Sequence, residues 1–500
     1  MSSLLRPADW LDPEFEVDVM RCSQGCIVGC LREIDNNEAT SRGLPPVRGT
    51  TTRRCASGFH RMSLPATRPV SRRIPQECRP STLLLGAHRT HDVRPRSRRY
   101  MERDDEQLRV ADNAASRTIA TVLRHDAKVT SYKLALIRAI NDVVLSFPDA
   151  GTHDQPVAIP LRILAEYWVA YYWPFVDPRA PISQGPHSFR KGVLANDMAF
   201  RPALAALWAA WEEIVGGAVR PSDGFFLINE FRVARRRAGY PPALRRAFTQ
   251  AVNAVSRSIE QPIHYAGPGE WGVFPRPVPY TALRGVAVSV PGTSETDRCV
   301  VVGRELWDGF LDLSLWVEAL SIHEWSLFTE SVAQLSGTVV RRGDVYTLLT
   351  DRPDNRRPLD WERNQIDLLQ MEGRVFACPW TGKSLRRPID YDLDHLLPVS
   401  VYAINGLWNL APADRLFNQH IKRDRLPSHD LLVAAAPRLE LAHQHYTSSS
   451  LLADVLRQDV AARFTRAGSA PDPRAITSVV IDFLDRAAEA RNLPRFMVAR

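Results

Sequence analysis

The stretch from Cys378 to Pro427 constrains this chain more than any other part of it. It reads Cys-Pro-Trp-Thr-Gly-Lys at 378–383 and Tyr-Asp-Leu-Asp-His-Leu-Leu-Pro-Val-Ser at 391–400. Trp-Asn-Leu follows at 408–410, and Asn-Gln-His-Ile-Lys-Arg-Asp-Arg-Leu-Pro at 418–427. Ile389 to Leu393 alternates apolar and acidic residues, the period of a strand, and the run ends at His395. Asn405-Gly406 supplies a turn, and Leu407 to Leu410 opens a second strand. Residues 413–425 are predicted to form a helix with Phe417 and Ile421 facing inward and Asn418 and Lys422 sharing the face beside them. The expected unit is a hairpin laid on a helix, with a His, an Asp and an Asn converging at one end. Asp394 and His395 would point to opposite faces of an ideal strand, so both reach one site only where the chain twists.

Phosphodiester hydrolysis needs residues of these types. A general base must take a proton from the attacking water near neutral pH, and histidine is suited to that. A hard divalent cation that neutralises charge on the phosphorus oxygens prefers oxygen ligands, which Asp394 and the amide of Asn418 can supply. Lys422 and Arg423, with Arg415 on the same predicted helix, offer fixed charges for neighbouring phosphates.

The stretch resembles the HNH, or ββα-metal, nuclease superfamily, whose members carry Cys-x-x-Thr-Gly-Lys followed by Asp-x-Asp-His-x-x-Pro-x-Ser. The resemblance is closest to the HNH domains of CRISPR RNA-guided effectors and of small bacterial HNH proteins. It implies Asp394 and Asn418 as metal ligands, His395 as general base, and Asn409 as the middle residue that braces the loop bearing the base. The third letter of the motif is then Asn, with His420 as the alternative third member. The steps of fourteen residues from His395 to Asn409 and nine to Asn418 fit that pattern. The implied cofactor is Mg²⁺ or Mn²⁺. Structural zinc is not expected, because Thr381 sits where a second cysteine would pair with Cys378.

Charge does not by itself point to nucleic acid. The net +8 is concentrated in residues 1–100, which hold 17 Arg, no Lys and 10 acidic residues. Residues 101–500 keep 47 basic and 46 acidic side chains, so a phosphate-binding surface there must be a local patch. The span 231–259 contains seven Arg and no acid; it is either such a patch or a salt-bridged helix face. Five of the seven Cys also lie before residue 100, and the two that remain, Cys299 and Cys378, fit a reducing cytosol better than a disulfide framework. No secretory signal is read at the N-terminus, and the most apolar stretch, Ile163 to Val176, is too short to span a bilayer and contains Glu166 and Pro174.

Residues 1–100 lack sustained periodicity and are expected to be disordered or a spurious leader, with ordered protein opening at Met101. Their alternative reading is an arginine-rich arm. From there the pattern predicts helices over about 102–126, 131–147, 159–173, 197–215, 225–237, 242–259 and 304–335, with β-rich pieces at 284–290 and 298–302. Asp-Arg-Pro-Asp-Asn-Arg-Arg-Pro at 351–358 reads as a linker, and 430–500 as further helices.

Several other motifs come up short. Residues 377–384 have Ala377 where a phosphate-binding loop needs glycine, and a strand follows them instead of a helix. His323-Glu324 begins like a zinc-protease helix, but Leu327 occupies the second ligand position. Cys22, Cys26 and Cys30 have one residue too many for a radical-SAM cluster motif. Short strings around Tyr132, Tyr171 and Trp316 resemble the helical module that precedes the nuclease in some bacterial HNH proteins, while the aromatic belt at 167–175 reads as core rather than as a base-stacking surface.

The expectation is a mainly α protein with a small ββα-metal nuclease domain at 372–428, a helical module at 101–350 and a helical tail at 429–500. DNA is favoured over RNA as partner, a protein partner could dock on 101–350, no membrane is involved, and the location is cytoplasmic. The alternatives are a nucleic-acid-binding protein or a partner-dependent interaction protein that retains the HNH fold.

Overall fold

A computed structural model describes residues 15–21, 27–33, 114–152, 154–185, 188–190, 193–195, 197–217, 219–351, 359–399, 401, 404–464, 467–468 and 471–497. It divides into two compact units, Met1–His91 and Asp92–Arg500. In the first, β1 (Phe15–Arg21) pairs antiparallel with β2 (Ile27–Glu33), from Phe15↔Glu33 to Arg21↔Ile27. The rest of residues 1–100, like the start of the helix expected at 102–126 and most of the linker expected at 351–358, lies outside the described residues.

The second unit is mostly helical and contains two large hydrophobic cores. The earlier core is built on α2 (Tyr132–Ser146) and α3 (Leu161–Tyr172), which follow a helix at 114–120 (α1) that continues as a π-helical turn, Thr121–His125. Both are apolar nearly all round, so they can be satisfied only at the centre, with other elements packed on every side. β3 (Val157–Pro160) lies between them, and β4 (Ser188–Arg190) and β5 (Val193–Ala195) form a short hairpin after α3. α4 (Arg201–Val215), α5 (Asp223–Arg232), α6 (Ala234–Ala238) and α7 (Pro242–His264) follow. In α7 the buried residues Leu244, Phe248, Ala251, Val255 and Ile259 recur at helical spacing, forming the one stripe that faces inward. The aromatic belt is core: Trp168, Tyr172 and Trp173 are fully buried, and the Tyr172 ring packs against Phe200 and Trp325.

A four-stranded sheet caps this core in the order β6 (Val278–Pro279), β8 (Arg298–Val302), β3, β7 (Val288–Ser289). The β-rich piece expected over 284–290 shrinks to the two residues of β7, and a 3₁₀ turn, Tyr280–Leu283, precedes it. The helix expected over 304–335 is two helices, α8 (Arg304–Asp312) and α9 (Ser314–Leu335), broken at Leu313. α10 (Arg342–Thr350) ends this part of the chain.

The later core begins with α11 (Asp360–Met371). β9 (Phe376–Ala377) and β10 (Ser384–Leu385) form a hairpin whose loop holds the Thr-Gly pair. Gly382 there has φ +73°, a conformation glycine adopts without the penalty a Cβ would bring. β11 (Tyr391–His395) pairs antiparallel with β12 (Leu410–Asp414), from Tyr391↔Asp414 to His395↔Leu410. A single α-helical turn, α12 (Arg415–Phe417), continues as a π-helical turn, Asn418–Lys422. β13 (Leu426–Pro427), α13 (His429–Ser448), α14 (Ser450–Ala461), α15 (Pro473–Ala490) and β14 (Arg495–Phe496) complete the unit, with β13 and β14 paired in parallel. No helix among the described residues is long and apolar enough to cross a membrane.

Candidate active site

Asp394 and His395 end β11, and Asn418 begins the π turn on the other side of the hairpin. All three line one open cleft of about 500 Å³, together with Lys422 and Arg423. The cleft therefore collects Asp394 and His395 although they are strand neighbours.

Asp394 is buried, and its two oxygens are both engaged. Oδ1 lies 2.9 Å from the Lys422 ammonium, and Oδ2 accepts a 3.2 Å hydrogen bond from the Trp380 indole N–H. Burial pushes its carboxyl above the ordinary value, with the Lys422 charge and the two hydrogen bonds opposing that rise. His395 is half-buried, and its Nε2 lies 2.8 Å from Oδ1 of Asn405. An amide oxygen can only accept, so Nε2 carries the proton and Nδ1 keeps the lone pair. Burial pushes the imidazole below its ordinary pKa, against the Asn405 hydrogen bond and the Asp394 charge. A neutral ring with a bare Nδ1 is the form able to receive a proton.

Asn409 is fully buried and does not line the cleft. Its Oδ1 accepts from Leu397 N (2.7 Å), and its Nδ2 donates to Leu397 O (3.1 Å) and Ile404 O (3.0 Å). It ties together both ends of the loop that leaves His395 and returns to β12.

The basic residues sit differently from the sequence reading. Lys422, expected to hold a phosphate, is buried; its ammonium is spent on Asp394 and on the His395 carbonyl (2.8 Å). Arg415 is likewise occupied: Nε pairs with Asp392 Oδ1 at 3.0 Å and Nη2 donates to Tyr391 O at 3.2 Å, fastening the short helix to β11. Arg423 is exposed at the cleft, and among the described residues its guanidinium has no partner. Its φ of +52° is costly for a residue with a Cβ. Ile421, expected to face inward, is exposed, as is His420, which does not line the cleft. In the arginine-rich span, Arg232 pairs with Glu166 at 2.9 Å and Arg235 with Asp459 at 3.3 Å, so part of it is a salt-bridged face.

Trp380 and Asn405 escaped the sequence reading. The sequence marks Asn405 only as a turn residue; its place in the loop that must close beside His395 is the signal that points to it. Trp380 offered no signal beyond its closeness to the Thr-Gly turn.

Among the described residues no three His, Cys, Asp or Glu side chains form a metal-holding group. The carboxylate of Asp394 and the amide oxygen of Asn418 in the cleft still fit a hard cation that keeps several of its waters. A cation already sits against Asp394, in the form of the Lys422 ammonium.

Residues 378–428 match the family model described as HNH endonuclease. Residues 112–349 match a domain of unknown function, DUF8808. No curated protein and no solved structure matches the chain.

Proposed function

We propose that this protein is a metal-dependent endonuclease that hydrolyses phosphodiester bonds, in DNA rather than RNA, through a ββα-metal site built on β11, β12 and the short helix after them. The observation that carries the reading is the His395 imidazole, its Nε2 turned to the Asn405 amide oxygen, on the same cleft as Asp394 and Asn418. The match to the HNH endonuclease model over the same residues supports it.

In this reading His395 Nδ1 accepts the proton of the attacking water. Asp394 and Asn418 hold a divalent cation, Mg²⁺ or Mn²⁺. When bound, that cation neutralises charge developing on the phosphoryl and leaving oxygens. Arg423 holds a flanking phosphate. Asn409 keeps the loop beside the base in place through its three backbone hydrogen bonds. The helical module and the tail beyond residue 429 form the scaffold on which the site is mounted.

The test is cleavage of supercoiled plasmid DNA by the purified full chain. Activity should require Mg²⁺ or Mn²⁺ and disappear with a chelator. His395→Ala should lower the rate by roughly 10²–10⁴-fold, the usual worth of a general base, with little change in DNA affinity. Asp394→Ala and Asn418→Ala should weaken metal binding, with partial rescue at high metal concentration. Normal cleavage by His395→Ala together with loss in His420→Ala would move the base to His420. Normal cleavage by both variants would remove the nuclease reading of this cleft.

A further inference from the structure

The loop from Leu396 to Asn409 is held from outside the 378–428 stretch. Asn405, on this loop, is buried, and its Oδ1 faces His395 Nε2 at 2.8 Å. Its backbone carbonyl accepts a 2.5 Å hydrogen bond from Nη2 of Arg236, which lies on α6 in the DUF8808-matching region. The two residues are 169 positions apart in the chain. Arg236 is itself buried between Glu230 of α5 (3.8 Å) and Asp459 of α14 (3.6 Å). Asp459 also accepts from the Leu407 backbone N–H at 2.8 Å, two residues past Asn405. A buried guanidinium flanked by two carboxylates is fixed in position, because any displacement strips charge from its partners in a medium that screens poorly. The loop is thus clamped through the Asn405 carbonyl by Arg236 and through the Leu407 amide by Asp459.

We infer that Asn405 is the positioning residue of the His395 base and that Arg236 of the helical module is its brace. The helical module then sets the orientation and tautomer of the catalytic ring, and the nuclease site is complete only with that module docked. This rests on the reading of His395 as general base. The Asn405 amide oxygen selects the Nε2–H tautomer, leaving Nδ1 to receive the proton of water. The Arg236 hydrogen bond keeps the Asn405 backbone where its side chain can reach the ring.

The test uses the full chain carrying ¹⁵N-labelled histidine imidazoles, with His395→Gln to assign the His395 signals. In the parent protein the ring nitrogens should report a single Nε2–H tautomer. Asn405→Ala should convert that signature to a mixture and lower kcat by about 10–100-fold, the usual effect of losing a partner that orients a reactive imidazole, with KM little changed. Asn405→Asp, which retains an acceptor oxygen, should keep the Nε2–H signature and most of the rate. Arg236→Gln should shift the tautomer in the same direction, and combining it with Asn405→Ala should add little. The Asn405 pair keeps the idea testable if Arg236→Gln fails to fold. An unchanged tautomer and an unchanged kcat in Asn405→Ala would overturn the inference. A parent chain that cleaves no nucleic acid would remove the nuclease reading, while the tautomer comparison would still decide whether Asn405 and Arg236 set the ring.

Discussion

An ammonium and a carboxylate that are both buried, as in Lys422 and Asp394, stabilise the fold only as a pair, since either alone would be an uncompensated charge in a poorly screening interior. A divalent cation at Asp394 must compete with the charge already there. Lys422→Met therefore has two expected effects. Without metal the variant should unfold more easily, by about 3–5 kcal/mol, the typical cost of removing one partner of a buried pair. Added Mg²⁺ or Mn²⁺ should raise its melting temperature more than that of the parent, because the cation then supplies the missing charge and binding to the folded state adds stability. Equal metal-induced shifts in parent and variant would show that Lys422 does not compete. The types and spacing of Asp394, His395, Asn409 and Asn418 were readable from the chain, because strand and turn signals act over a few residues. The engagement of Lys422 was not, since a lysine four residues past Asn418 looks the same whether it ends in solvent or on a carboxylate.

At the scale of elements, the π turn explains why the expected inner face was misread. An α-helix carries Phe417 and Ile421 on one face, at i and i+4. Here the Arg423 N–H bonds to Asn418 O, an i to i+5 closure that adds a residue to the turn. Lys422 takes the inward position in place of Ile421, which brings its ammonium to Asp394. Periodicity could suggest a helical segment after β12 but not a change of pitch, which depends on what the turn packs against. The pairing of α13 with α15 carries a second consequence. His443 on α13 is buried with its Nδ1 at 2.8 Å from the Thr477 hydroxyl of α15, whose own proton goes to Pro473 O. Burial pushes the His443 pKa down to about 4. An unfolded chain takes up a proton near the ordinary value of about 6.5, so the unfolded state binds more protons as the pH falls from there. The stability contribution of neutral His443 is complete above pH 6.5, shrinks as the pH falls, and is gone below about pH 4, a loss of about 3 kcal/mol across the window. Denaturant melts of the parent and of His443→Gln at pH 7.5 and pH 5 check this. The parent should lose more stability between the two than the variant, and parallel losses would assign the acid sensitivity to other groups.

For the whole molecule, the two cores of Asp92–Arg500 are joined by polar contacts as well as by chain continuity. Arg491, just past α15, pairs with Glu318 of α9, and Ser314 Oγ donates to Ala490 O at 2.7 Å. Arg463 reaches Ser146 O at 3.0 Å, and Arg486 reaches Pro148 O at 3.2 Å. Arg491→Ala removes a charge from a contact that is mostly shielded from water on both sides. It should cost about 2–3 kcal/mol in a denaturant melt, with Arg491→Lys recovering part of that. An unchanged midpoint in Arg491→Ala would show that the ion pair contributes nothing to joining the cores.

By itself the sequence determined the mainly helical class and the alternating run that ends at His395. The motif it carries at residues 378–427 lies within the stretch that matches the HNH endonuclease family model. Each of these depends on signals between residues close in the chain: side-chain alternation, turn propensity and helical spacing. Tertiary structure alone decided that Asn405 faces the imidazole, that Arg236 braces Asn405 from 169 residues away, and that Lys422 rests on Asp394. A local pattern sets which face of an element is apolar. Which buried charge meets which is settled only when the packed elements leave each polar group a small set of neighbours with which to satisfy it.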